Sequence, residues 1–324
     1  MKTLSIGKLR SQQQCSSPAG IFACLALDHR QNLRRALNPS GPDSVTNADL
    51  INFKLEVTSA LADSATAVLL DPEYSAAQAV AGRAIPAKTG LVVALESTGY
   101  SGEPTARQSQ ILPGWSVEKS KLMGASMVKL LVYYHPNAPT ATEIEEFVQQ
   151  VAGECSRYDI GLMLEPLSYS LNKEKKLTSG QRRSVVVETA RRLAPLGVDL
   201  LKVEFPLDVA EDRDEASWLA ACLEISSASP IPWILLSAAV DFETYTRQVT
   251  TACQAGASGI AVGRAVWQEA VALTGEARSR FLETTARERL TRLAELCNRL
   301  AKPFTDFYSP SSISPDWYKH YNEP

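Results

Sequence analysis

The chain has 324 residues, 45% hydrophobic and 21% charged, which fits a globular protein able to bury a large core. A net charge of −3 excludes a general attraction to nucleic acid or anionic membrane, and no apolar run approaches the roughly 20 residues of a transmembrane helix. Six scattered cysteines without a C-x-x-C pair exclude a disulfide framework and a cysteine zinc site. The opening "MKTLSIGKLRSQQQC" has no apolar segment of signal-peptide length, so a cytoplasmic protein is expected.

Short apolar runs recur along the chain, each followed by turn residues and a helical pattern. In order they are "IFACLALD" (21–28), "AVLLD" (67–71), "LVVALE" (91–96), "MVKLLVYY" (127–134), "IGLMLEPLSY" (160–169), "LLKVEFPL" (200–207), "IPWILLSA" (231–238) and "GIAVGRAVW" (259–267). Helices are predicted over 46–63, 116–124, 140–157, 180–194, 211–226 and 241–255, with a short one in 75–84 and a strong one over 275–300. Eight near-continuous apolar strands alternating with helices imply an all-parallel sheet covered on both faces. Eight is the number that closes a (β/α)8 TIM barrel, here a single α/β domain over about 20–300. A doubly wound open sheet is the alternative. The Pro/Ser-rich, aromatic 303–324 reads as a C-terminal extension, on the surface, against a partner subunit or partly disordered.

Catalytic side chains of a parallel barrel sit at the C-terminal strand ends, and the polar exceptions fall there. Strand 1 ends in Asp28-His29-Arg30, strand 2 in Asp71 and strand 3 in Glu96; strand 4 carries Lys129, strand 5 Glu165, and strand 6 Lys202 with Glu204. Strand 7 ends in Ser237 and strand 8 in Gly263-Arg264. Period-two alternation turns Leu201, Val203 and Phe205 toward helices, and Lys202, Glu204, Lys129, Leu131 and Tyr133 inward. With strands about 4.8 Å apart, Lys129, Glu165 and Lys202 on adjacent strands can bring their heads within about 10 Å.

One reading of that trio is a buried ion network that fixes strand register. Such networks are costly to desolvate and often not stabilising on balance, so a functional reading is preferred. A lysine in a dry pocket beside another cation tends toward the neutral amine, which attacks a carbonyl to form an imine. Arginine stays protonated and is unable to do this. An adjacent carboxylate moves the protons. Loops after strands 7 and 8 commonly hold phosphate in this fold; here they carry small residues and Arg264.

Taken together, "ALDHRQNLRRAL", "VLLDPEYS", "VVALESTGY", "MVKLLVYY", "LMLEPLSY", "VDLLKVEFPL", "ILLSAAV" and "AGASGIAVGRAVW" resemble the class I tagatose-1,6-bisphosphate aldolases and the related sulfofructosephosphate aldolases, from about residue 20 to 307. The resemblance implies a Schiff-base lysine at Lys202, an acid/base at Glu165 and an assisting Lys129. It implies a phosphate held by Ser237, Gly263 and Arg264 with Ala238 beside them, and a pocket wall of Asp28, His29 and Arg30, with Arg30 a candidate for the other anionic end. His29 stands where the family usually has glutamine, and "LSAAV", with Ala239, replaces "LSAGV" or "LSSGV".

The implied reaction is reversible cleavage of tagatose 1,6-bisphosphate to dihydroxyacetone phosphate and glyceraldehyde 3-phosphate. "DPEYS", "ESTGY" and "LLVYY" favour that branch, whereas "AGASG" and "GRAVW" occur readily in the sulfosugar branch, whose enzymes release sulfolactaldehyde. A transaldolase-like imine enzyme and a non-catalytic sugar-phosphate-binding regulator are the other readings. His29, His135 and His320 form no ligand-like cluster, so no metal and no cofactor are expected. A homo-oligomer is expected. His135, Cys24 and the "NKEKK" run (172–176) are read as loop, core and solvated loop.

Overall fold

The computed structural model describes residues 1–238 and 240–321; among these, no helix is long and apolar enough to cross a membrane. Eight parallel strands close a barrel in chain order: β1 (Phe22–Ala26), β2 (Ala67–Leu70), β3 (Gly90–Ala94), β4 (Met127–Tyr133), β5 (Gly161–Leu167), β6 (Leu200–Val203), β7 (Trp233–Leu236) and β8 (Gly259–Val262). Nearly every strand residue is buried, as expected of strands covered on both faces.

Closure, which sets aside the open sheet, is made where β8 meets β1 and Gly259 lies opposite Phe22. Gly259 has φ +137°, and a Cβ there would stand 1.9 Å from the Phe22 carbonyl oxygen. Only glycine permits that approach.

Several helices start where a side chain satisfies their free N–H groups. Thr46 and Thr178 form capping boxes with Asp49 and Gln181 at the helices Asn47–Leu61 and Ser179–Leu193. Asp214 and Asp241 cap the helices Glu215–Ala228 and Phe242–Gln254. The first of these begins at Glu215 rather than 211 because its cap is Asp214. The eighth strand is shorter than predicted. It stops at Val262, Gly263 leaves the β region (φ −122°, ψ −103°), and Arg264–Trp267 is a helical turn.

Among the elements that escaped the periodicity, two are held by polar contacts. The helix Ile6–Cys15 packs against β3, β4 and β5, but it buries Lys8, Ser11, Gln12 and Cys15 rather than an apolar stripe. Its anchors are polar: Lys8 Nζ lies 2.8 Å from Asp199 Oδ2, and Gln12 Nε2 donates to the Asp199 carbonyl at 3.0 Å. The second is the tail. Tyr308–Pro310 pairs in parallel with Lys2–Leu4, and the Tyr308 hydroxyl donates to the Asp199 carbonyl at 2.8 Å. The extension is therefore strapped to the N-terminal end of the barrel through 321, where the Tyr321 hydroxyl bonds Asp159. Trp317, Tyr318 and Tyr321 remain 40–62% exposed.

A buried ion pair ties the helix Asn47–Leu61 to the end of β2. Lys54 and Asp71, both fully buried, bond to each other, and Asp71 also accepts from Ser75 Oγ (2.6 Å) and the backbone N–H groups of Glu73 (3.0 Å) and Tyr74 (2.8 Å). Asp71 therefore organises its own loop and does not join the lysine cluster. Replacing Lys54 with Met leaves that carboxylate buried without its cation. The expected cost is about 3–5 kcal/mol of unfolding free energy in urea denaturation; a loss below about 1 kcal/mol would contradict the pairing's role.

Candidate active site

Alternation along β4, β5 and β6 sends Lys129, Glu165 and Lys202 into the barrel, while Phe205 packs outward on Trp218 with ring centroids 5.3 Å apart. Leu131 is level with Glu165 across the β4–β5 ladder. Lys202 Nζ lies 2.8 Å from Glu165 Oε1, and Lys129 Nζ lies 2.8 Å from Glu165 Oε2. One carboxylate thus bridges two lysines on either side of it.

Lys129 has two further partners. Its Nζ is 2.8 Å from Asp28 Oδ2 and 2.6 Å from Glu96 Oε1, and the other Glu96 oxygen accepts the Leu131 N–H at 3.0 Å. Burial opposes the charge of Lys129, but Asp28, Glu165 and Glu96 outweigh it and hold the ammonium well above the usual lysine range. Burial likewise opposes ionisation of Glu165 and Asp28; Lys129 and Lys202 overcome it and keep both carboxylates below their ordinary values.

This corrects the expected electrostatics. The cation invoked beside Lys202 is itself neutralised by three carboxylates, so the two lysines and three carboxylates sum to one negative charge. Glu96 is the residue that the sequence reading left without a role. Its signal was present, a lone acid ending the "VVALE" run, but its partner lies 33 residues away.

The predicted anion end assembles at the rim of the same pocket. Ser237, Ala238, Gly263 and Arg264 line it with Lys202 and Glu165, and Ser237 Oγ accepts the Gly263 N–H at 3.0 Å. A Cβ at Gly263 would stand 2.9 Å from the Ala26 carbonyl oxygen and 3.3 Å from His29 Cε1, so glycine is needed for this fit. Arg264 makes no ion pair among the described residues; its Nε is buried without a partner, and burial draws its pKa down. A half-buried guanidinium without an ion pair suits an oxyanion. Ala239 lies outside the described residues.

His29 stands edge-on to Trp267, ring centroids 5.6 Å apart, with Nδ1 buried and unpartnered. Burial, with Arg264 and Lys202 nearby, pushes its pKa down to about 4 against the pull of Asp28, so it is neutral near pH 7. Arg30 lines the pocket but its fork is engaged, Nη1 2.6 Å from Glu73 Oε2 and Nη2 2.5 Å from the Glu96 carbonyl. Through these contacts it braces two rim loops.

Comparison with known proteins follows this geometry. Residues 22–269 match the model of the DeoC/LacD family of aldolases. A tagatose 1,6-diphosphate aldolase of Listeria monocytogenes serotype 4a is 30% identical, over 95% of this chain and 96% of that protein. Tagatose 1,6-diphosphate aldolase 2 of Streptococcus mutans serotype c is 28% identical over 94% and 98%. Among solved structures, an archaeal fructose 1,6-bisphosphate aldolase superposes with a TM-score of 0.58 at 21% identity, covering 89% of this chain and 98% of that one. A fructose-bisphosphate aldolase from Plasmodium falciparum gives 0.71 at 12% identity, covering 93% and 98%; at these identities the likeness is one of fold. The family match over most of the barrel and the full-length relatives make this chain a member of the DeoC/LacD aldolases, lyases of carbon–carbon bonds.

Proposed function

We propose that this aldolase works through a Schiff base on Lys202 and cleaves tagatose 1,6-bisphosphate. The observation that carries the reading is the 2.8 Å contact between Lys202 Nζ and Glu165, in a pocket whose rim holds the unpaired Arg264. The relatives in Listeria monocytogenes and Streptococcus mutans support the choice of sugar.

The steps follow from the positions. Glu165 takes a proton from Lys202, and the free amine attacks C2 of the ketose. Glu165 returns that proton to the departing hydroxyl, so loss of water gives a protonated imine and an ionised Glu165, while Arg264 and the Ser237–Gly263 rim hold the 1-phosphate. Glu165 then removes the C4 hydroxyl proton; the C3–C4 bond breaks, its electrons pass into the imine, and glyceraldehyde 3-phosphate leaves. Protonation of the resulting enamine at C3 and hydrolysis release dihydroxyacetone phosphate and restore Lys202. Lys129 is no base, because its carboxylates hold it charged; it fixes Glu165 and keeps it ionised. Removing the acid/base of such a step typically costs 10²–10⁴ in rate.

Three outcomes are expected. Borohydride with substrate should attach one triose phosphate to Lys202 by mass spectrometry, and activity should survive EDTA; a Lys202→Ala protein with full turnover would end the assignment. Glu165→Gln should lower kcat by about 10²–10⁴. Assayed side by side, tagatose 1,6-bisphosphate should be cleaved with a higher kcat/KM than fructose 1,6-bisphosphate or sulfofructose 1-phosphate, and the reverse order would reassign the substrate.

A fourth outcome concerns Lys129→Met, which leaves Asp28, Glu96 and Glu165 facing one another. With Lys129 raised and Asp28 and Glu165 lowered, the cluster stabilises the fold between the carboxylate and lysine ranges. That contribution is lost as pH falls through the lowered carboxylate values or rises through the raised lysine value. Denaturation of the variant should show a deficit of about 3–5 kcal/mol at pH 7 that shrinks toward pH 4 as the carboxylates take up protons. A deficit equal at both pH values would contradict this account of the cluster.

A further inference from the structure

After β3 the chain forms a small hairpin at the barrel mouth, Ser101–Glu103 antiparallel to Ala106–Gln108. Arg107, on its second strand, is held among three tyrosines from three different segments. Its guanidinium carbon lies 4.4 Å from the ring centroid of Tyr100, 5.3 Å from Tyr133 and 4.5 Å from Tyr169. Tyr133 ends β4 and lines the substrate pocket. Arg107 Nε donates to the Pro104 carbonyl at 3.1 Å, and the Arg107 carbonyl accepts from Thr140 Oγ1 at 3.2 Å. Among the described residues no carboxylate pairs with Arg107, and neither Nη atom has a hydrogen-bond partner.

That arrangement is unusual for a structural arginine. Stacking on tyrosine uses the faces of the planar guanidinium and leaves its two Nη groups, which can bind an oxyanion in bidentate fashion, without an acceptor among the described residues. Three rings and one backbone bond also restrict the side chain in advance, which reduces the entropy lost on binding. Arg30, the other arginine on this side, is already engaged by Glu73.

Position gives the second observation. In a closed eight-stranded barrel, β4 and β8 lie across the axis from each other. Arg107 stacks on Tyr133, the pocket-lining residue that ends β4, and Arg264 follows β8, so these two guanidiniums, without ion-pair partners among the described residues, belong to opposite sides of the barrel that holds Lys202. The cluster below carries one net negative charge and offers an anion nothing.

The geometry points to Arg107 as the residue that holds the distal anion of the ketose, with Arg264 at the C1 phosphate. This rests on the Schiff-base ketose-phosphate reading and deepens it by naming what selects a substrate charged at both ends. A C6 phosphate and a C6 sulfonate present the same tetrahedral oxyanion chemistry to such a fork.

The test is a ratio. kcat/KM is measured for tagatose 1,6-bisphosphate, sulfofructose 1-phosphate and tagatose 1-phosphate with wild-type protein, Arg107→Ala and Arg107→Lys. The preference for a C6-charged substrate over tagatose 1-phosphate should fall about 10- to 100-fold in Arg107→Ala, the range of one charge-assisted hydrogen bond, and less in Arg107→Lys. Which preference collapses, bisphosphate or sulfonate, identifies the distal group. If turnover of all three substrates falls in equal proportion, or not at all, Arg107 is only a brace for the hairpin and the proposal is overturned. Wild-type protein that cleaves none of the three overturns the parent reading with it.

Discussion

The site depends on one buried ammonium. Lys129, fully enclosed, is shared by Asp28 after β1, Glu96 after β3 and Glu165 on β5. No one of these contacts would compensate for removing a lysine from water, since desolvation of a buried ion pair commonly matches its attraction. Three carboxylates converging on one nitrogen do so, and the lysine in turn holds Asp28 and Glu165 ionised. The result is mechanical as well as electrical: strands on separate parts of the barrel are tied at one point, and Glu165 is left with one oxygen for Lys129 and the other for Lys202.

Charge is layered along the barrel axis. The centre is slightly negative and suited to moving protons, whereas attraction for an anionic substrate is left to the rim. His29 adds no charge there near neutral pH. Arg264 is the clearest rim cation, half-buried and without an ion pair among the described residues. A centre rich in cations would bind phosphate directly over the lysine and block the carbonyl carbon that has to approach it. Separating recognition from chemistry keeps the two from competing. The hairpin Ser101–Gln108 adds a surface to the rim without altering the barrel below.

Much of this was legible in one dimension. Eight apolar runs, each with a polar residue within it or at its end, implied both the barrel and the rim where its chemistry would sit, and Lys129, Glu165 and Lys202 were correctly turned inward by alternation alone. Elements held by polar contacts were not legible. The helix Ile6–Cys15 buries Lys8 and Gln12 against Asp199 and so lacks an apolar stripe. The strand Tyr308–Pro310 is a strand only because Lys2–Leu4 lies beside it.

The sequence by itself determined which residues face the axis, because side-chain direction in a strand is local and alternates with every residue. Which charges neutralise which was decided only by the tertiary structure. Arg30 was claimed by Glu73, Lys129 by Glu96 and Lys54 by Asp71, while Arg264 and Arg107 were left without such a partner among the described residues. Ion pairing acts over a few ångströms in space, and residues 17 to 101 positions apart reach that distance only once the barrel has closed.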